Sequence, residues 1–286
     1  MKLPYLLILT LFSISASAQQ LDRQAMHSED VQHAMPAHQY QTLLAGETEF
    51  TVVVNDSTTV NTRGMAVLVN DLGLGHMGDQ SLEPLVQYLN EAGWATVLMS
   101  APQTEFYPAK DTTDTPDADA QQPASDAAEP LKPGTFQSLL TRDQFDQQER
   151  KLQQQLMAVA PLNQQYPGFV LVISQGTSAA WLTKLYAEGT LNAPDALITI
   201  APFWPDSEWN YQLSQYVSDL PSPLLDIYNA WNNDWTLHSR KQRQVAAKKA
   251  LKLHYRQREI VGQSMALNQS AYVAKEILGW LTQMGW

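Results

Sequence analysis

The sequence predicts an α/β domain, a mainly parallel, doubly wound sheet with helices on both faces, arranged as a three-layer sandwich. Three observations predict it. Short apolar runs at 65–69, 95–99 and 169–173 have the continuous pattern of strands buried on both faces. Helical spacing of apolar residues separates them, as at Leu82, Leu85, Val86 and Leu89. A chain of 286 residues with 44% hydrophobic content is also long enough to bury one substantial core.

The elements follow in order. Residues 49–54 are β-branched and strand-like, with Asn55, Asp56 and Ser57 supplying a turn. The strand at 65–69 comes next, then a helix over 80–92 ended by Gly93, then the strand at 95–99. Residues 142–165 read as one long helix with Phe145, Leu152, Leu156 and Val159 on a single stripe. The second half alternates strictly. Strands are expected at 169–173, 196–200, 223–228 and 251–259, and helices at 178–186, 208–217, 237–250 and 270–283.

Two segments stand apart from this alternation. Residues 108–134 are rich in Asp, Ala, Pro, Gln and Thr and almost lack large apolar side chains. Such a stretch cannot bury enough surface to offset its ordering entropy, so a disordered insertion is expected. Residues 1–18 carry Lys2, a short apolar run, and Ala16-Ser17-Ala18, the small-x-small pattern of a secretory cleavage site. The run is too short to span a bilayer. A cleaved signal peptide and a periplasmic location are therefore expected, followed by a polar N-terminal arm over 19–46 and the main domain over 47–286. The sequence has no cysteine, which removes disulfides, thiolate chemistry and a lipid-modified cysteine together. A formal net charge of −11 argues against nucleic acid and anionic lipid as partners. Three histidines in the arm, His27, His33 and His38, do not share one helix face, and no carboxylate pair completes a shell. Neither a metal nor a cofactor is expected.

Ligands of open α/β sheets bind beyond the carboxyl ends of the strands. The strand at 169–173 runs into Ser174-Gln175-Gly176-Thr177-Ser178 and then a helix, the setting of a nucleophile elbow. Two registers fit. With Gly176 at the apex, Ser174 and Ser178 are the flanking small residues and no nucleophile exists. With Ser178 at the apex, Gly176 and Ala180 flank it, and a catalytic serine results. The first suits a strand of ordinary length; the second needs two more residues of strand.

A working serine also needs a histidine, usually in the loop before the closing helix. Gln263 stands there instead, and an amide cannot act as a base near neutral pH. His254, read as lying inside the preceding strand, is the remaining candidate base, with Asp234 or Asp226 as candidate acids. The third strand end, 70–76, places Asp71 and His76 over the cleft. Asp226, Trp231 and Gln263 are expected to line it as well. Trp231 belongs to an aromatic-rich stretch with Trp204, Trp209, Tyr211, Tyr216, Tyr228 and Trp235, the composition of a core plus a lid.

Three motifs carry a resemblance. They are Gly93-Trp94-Ala95-Thr96 entering a strand that ends at Ala101-Pro102, the elbow from Gln175 to Ala180, and the Pro223 to Tyr228 strand with Asp226. In these the chain resembles the exported bacterial proteins grouped as domain of unknown function 3530, relatives of the α/β hydrolases. The resemblance covers about Phe50 to the C-terminus apart from the insertion. It implies an α/β-hydrolase-like fold and export, and no reaction. With Gly176 and Gln263 in place of nucleophile and base, the expectation is a non-catalytic protein that binds a small molecule or an envelope partner. The alternative is a serine esterase or peptidase using Ser178.

Overall fold

The computed structural model describes residues 23–78, 80–103, 141–262 and 269–286. Eight strands form one sheet: β1 (Tyr40–Ala45), β2 (Thr48–Asn55), β3 (Gly64–Val69), β4 (Trp94–Met99), β5 (Phe169–Gln175), β6 (Ala196–Ile200), β7 (Leu224–Asn229) and β8 (Tyr255–Ile260). Their order is β1-β2-β4-β3-β5-β6-β7-β8. β1 pairs antiparallel with β2 and β2 antiparallel with β4, while every pairing from β4 to β8 is parallel.

The helices are α1 (Arg23–Ala34), α2 (Glu83–Glu91), α3 (Arg142–Val159), α4 (Gly176–Ala187), α5 (Ser207–Asp219), α6 (Asp234–Lys249) and α7 (Ser270–Gln283). The alternation of side chains along each strand decides which face they cover. On β3, Met65, Val67 and Val69 enter a core with Phe145 and Leu152 of α3, Trp181 of α4 and Leu213 of α5. The intervening Ala66 and Leu68 point the other way, to Leu85 and Leu89 of α2, Ile277 of α7 and Val31 of α1. Two buried layers share one sheet, as continuous apolar strands require. Trp204, Trp209 and Tyr216 of the aromatic stretch feed the first layer: Phe145 lies 5.4 Å from Trp181, 5.2 Å from Trp204 and 4.1 Å from Trp209, centroid to centroid.

Several expectations need correction or fall outside the described residues. The polar arm is built into the fold: α1 packs Val31 into the core and β1 forms the sheet edge. The helix from Arg142 stops at Val159 and tightens into a 3-10 turn, Ala160–Gln164, where Pro161 cannot continue the α-helical ladder. β8 begins at Tyr255 and not at 251, because Leu251 (φ 53°) adopts a left-handed conformation and closes α6. Leu251 N–H and Lys252 N–H bond the carbonyls of Lys248 and Ala247, satisfying the last turn. The expected signal segment 1–18 and the expected disordered insertion 108–134 lie outside the described residues. No described helix is long and apolar enough to cross a membrane.

Candidate functional site

The carboxyl end of β5 is the point on which the site is built. β5 runs to Gln175 in extended geometry (φ −125°, ψ 158°), and the next residue, Gly176, takes φ +60° as the first residue of α4. A left-handed residue wedged between strand and helix is the sharp turn of an elbow, and glycine adopts it at little cost. Ser178 lies two residues into α4, fully buried, and its hydroxyl has no hydrogen-bond partner among the described residues. Ser174 is the last-but-one residue of β5 and donates to the carbonyl of Val69 on the neighbouring strand.

What fills the elbow comes from the loop after β3. Asp71 Oδ1 accepts from Thr177 N at 2.7 Å and from Thr177 Oγ1 at 2.7 Å, with Ser178 N at 3.4 Å. It also accepts from Leu72 N at 2.8 Å. The carboxylate thus caps the N-terminus of α4, where unpaired N–H groups and the helix dipole favour negative charge. Burial nonetheless pushes its pKa up, opposed by the bonds from Thr177, Leu72 and Ser178. A Cβ placed on Gly176 would meet Asp71 Oδ2 at 1.9 Å and Cγ at 2.1 Å. The carboxylate therefore occupies the volume where an apex side chain would start. It also takes the N–H of the residue after the apex, the donor that a hydrolase turns to an oxyanion.

The loop that carries Asp71 is pinned on both sides. Asn70 Nδ2 donates to the Gly75 carbonyl, its Oδ1 accepts from Leu82 N, and its own N–H bonds Met99 O. Gln175 Nε2 donates to Gln80 O at 2.9 Å, which ties the far end of the loop to the elbow. Asn70 escaped the sequence reading. Its signal was only a polar residue immediately after a buried strand.

A pocket of about 240 Å³ opens above Gly176, and Asp71, Gln175, Phe203, Trp231, Asn232 and Asn233 are among its walls. At the end of β6, Ala201, with a positive φ of 51°, also faces it. The carbonyl of Ala201 is held by Thr236 Oγ1.

The other expected site residues go elsewhere. His76 is buried, and its Nε2–H donates to the carbonyl of Thr51 on β2 at 2.8 Å. β2 is separated from β5 by β4 and β3, so His76 is anchored about 14 Å to the side of the elbow and does not line the pocket. Burial lowers its pKa to about 4. His254 precedes β8, is exposed, and its carbonyl accepts from Leu224 N at the amino end of β7. That puts it at the opposite edge of the sheet from the elbow, a strand length of about 20 Å away. His238 is exposed, with its ring Nδ1–H donating to the Asp234 carbonyl of its own helix.

Neither candidate acid meets the elbow. Asp226 is not a cleft residue: it sits mid-strand in β7, fully buried, in a bidentate pair with Arg243 at 2.9 and 3.2 Å. Tyr255 OH and Gln257 Nε2 donate to it as well, so its charge is used inside the sheet–α6 layer. Asp234 is exposed at the first position of α6, where a carboxylate favours the helix dipole. Gln263 lies outside the described residues. All six histidines fall within the described residues, and none bonds Ser178. The described residues include no group of three His, Asp or Glu side chains placed to hold a metal ion.

The sheet order and the elbow are those of an α/β hydrolase, and comparison with solved structures agrees. The chain is similar to a dienelactone hydrolase from Anabaena variabilis, with 14% identity and a TM-score of 0.56 over 86% of this chain and 99% of that one. It is similar to the esterase domain of a Rhodothermus marinus protein, with 10% identity and a TM-score of 0.54 over 84% and 96%. It is also similar to an α/β serine hydrolase homologue from Coxiella burnetii, with 13% identity and a TM-score of 0.53 over 85% and 97%. At these identities the likeness establishes the α/β-hydrolase fold. No curated protein sequence matches the chain. The model of the protein family of unknown function DUF3530 matches residues 13–283, and the chain belongs to that family.

Proposed function

We propose that this DUF3530 protein is an exported, non-catalytic member of the α/β-hydrolase fold that binds a ligand or envelope partner over the carboxyl ends of its strands. One observation carries the reading: the Asp71 carboxylate fills the apex volume at Gly176 and holds the N–H of Thr177. An esterase needs that volume for its nucleophile and that N–H for the developing oxyanion. A serine hydrolase working through Ser178 would further need an imidazole in hydrogen-bond contact, and Ser178 is buried without a partner among the described residues. Export rests on the pattern of residues 1–18, and the released protein should begin at Gln19.

Fluorophosphonate labelling of the mature protein tests the absence of catalysis, since such probes react only with activated serines. The expected outcome is no labelling of the folded protein. Labelling that disappears in Ser178→Ala would establish a working serine and overturn the reading.

A further inference from the structure

The chemistry of the pocket over Gly176 narrows the ligand, and the narrowing rests on the non-catalytic reading above. Its floor offers acceptors. Asp71 Oδ1 is saturated by its contacts with α4 and Leu72, but Oδ2 has no hydrogen-bond partner among the described residues. Gln175 spends its Nε2 on Gln80 O, and its carbonyl Oε1 has no partner among the described residues. The rim offers donors. Asn232 Oδ1 is taken by Asn229 N and Asn233 Oδ1 by Thr236 N, so among the described residues each amide has its NH2 group left.

No Lys, Arg or His is among the described residues lining this pocket. A carboxylate with one bare oxygen is therefore the dominant charge there, in a chain of net charge −11. An anionic ligand would be repelled. A cation would complete the pairing that a desolvated carboxylate lacks.

Trp231 supplies the third element. It is 77% exposed, yet its backbone is held: Trp231 N donates to Asn229 Oδ1 at 2.8 Å, and Asn229 N to Asn232 Oδ1 at 2.7 Å. A large exposed indole carried on a fixed backbone at a pocket wall is a stacking platform. Its face also attracts cations.

We propose that this pocket binds a small amino sugar in its ammonium form. The cation sits against Asp71 Oδ2 and Gln175 Oε1, the hydroxyl groups face the amides of Asn232 and Asn233, and the carbon face of the ring lies on Trp231.

Titration calorimetry of the mature full chain at low salt tests this, with glucosamine as the probe and glucose, N-acetylglucosamine and glucuronate as neutral and anionic controls. Glucosamine is expected to bind saturably, with each control weaker by about tenfold or more, because none brings a cation to the carboxylate. Asp71→Asn keeps an oxygen to cap α4 while removing the charge, and Trp231→Ala alters only an exposed side chain. Each is expected to weaken glucosamine binding about tenfold. Glucose binding as tightly as glucosamine, no saturation by glucosamine at millimolar concentrations, or indifference to both substitutions in folded protein would overturn the ligand class. Those outcomes are separate from fluorophosphonate labelling, which alone would overturn the reading on which the ligand class rests.

Discussion

At the scale of single residues, Gly176 and Asp71 act as one unit. Gly176→Ala introduces a Cβ into the carboxylate at 1.9 Å and forces a non-glycine residue to φ +60°. The left-handed conformation costs roughly 1–2 kcal/mol, and displacing the cap from α4 adds roughly another 1–2. Urea unfolding should therefore show Gly176→Ala to be destabilising by about 2–4 kcal/mol in the wild-type background. In an Asp71→Ala background the same change should cost only its backbone share, about 1–2 kcal/mol, so the double-mutant cycle should not be additive. Equal costs in both backgrounds would show that the two positions do not interact. The glycine apex was one of two registers open in the sequence, although the strand is not of the length expected: β5 runs to Gln175, two residues past 173, and Gly176 with φ +60° follows it directly. Its partner was not legible there. Asp71 and Thr177 are 106 residues apart, and only the parallel pairing of β3 with β5 brings their loops together.

At the scale of elements, β7, β8 and α6 are joined by a buried charge pair. Arg243 and Asp226 have side chains 0% and 1% exposed, and the guanidinium also reaches Ser239 Oγ. Removing one member leaves the other charged and without compensation, the case in which buried pairs are costly to break. Arg243→Met should destabilise the protein by about 3–5 kcal/mol in thermal or urea unfolding, and adding Asp226→Leu should recover part of that loss. If the double variant is no better than the single, Asp226 does not depend on Arg243. Asp226 looked like a catalytic acid in the sequence because an acidic residue in a late strand is where such a fold keeps one. Only the placement of α6 shows that its charge is already used. The misplaced start of β8 has a similar cause: Leu251 and Leu253 suggest an apolar strand, yet they are 82% and 91% exposed, in the turn before Tyr255. β1 and α1 were illegible for the opposite reason. The strand Tyr40–Ala45 lacks clean alternation, and of α1 only Val31 is buried.

At the scale of the whole molecule, one sheet carries both apolar layers, and that much was plain from the alternation of apolar runs with helical stretches. Both faces of β3 are committed, to different helices, so a change that loosens one layer is felt in the other. The response of such a body to acid depends on groups buried in a single protonation state. His76 has a folded pKa lowered to about 4 from 6.5. Between those values the unfolded chain binds a proton that the folded one refuses. Stability contributed by neutral His76 is therefore present above about 6.5 and lost as pH falls towards 4, by up to about 3 kcal/mol. Glu276, lowered by its bonds from Arg258, acts in the same direction as pH falls. Asp71, raised by burial, acts oppositely, because protonation relieves its desolvation in the folded state. Comparing the urea midpoints of wild type and His76→Gln at pH 7 and at pH 4.5 separates these contributions. The variant, which keeps a donor for the Thr51 carbonyl, should lose distinctly less stability on acidification. Identical losses would remove His76 from the account.

The carboxylate lodged in the elbow also makes the site a ratchet. A serine placed at 176 collides with Asp71 before it can react with anything. Removing Asp71 first strips the cap from α4 and yields nothing in exchange. A histidine introduced beside Gln263 has no hydroxyl to deprotonate until both other changes are present. On the non-catalytic reading proposed above, every single step towards a working hydrolase therefore begins downhill in stability or is silent in activity.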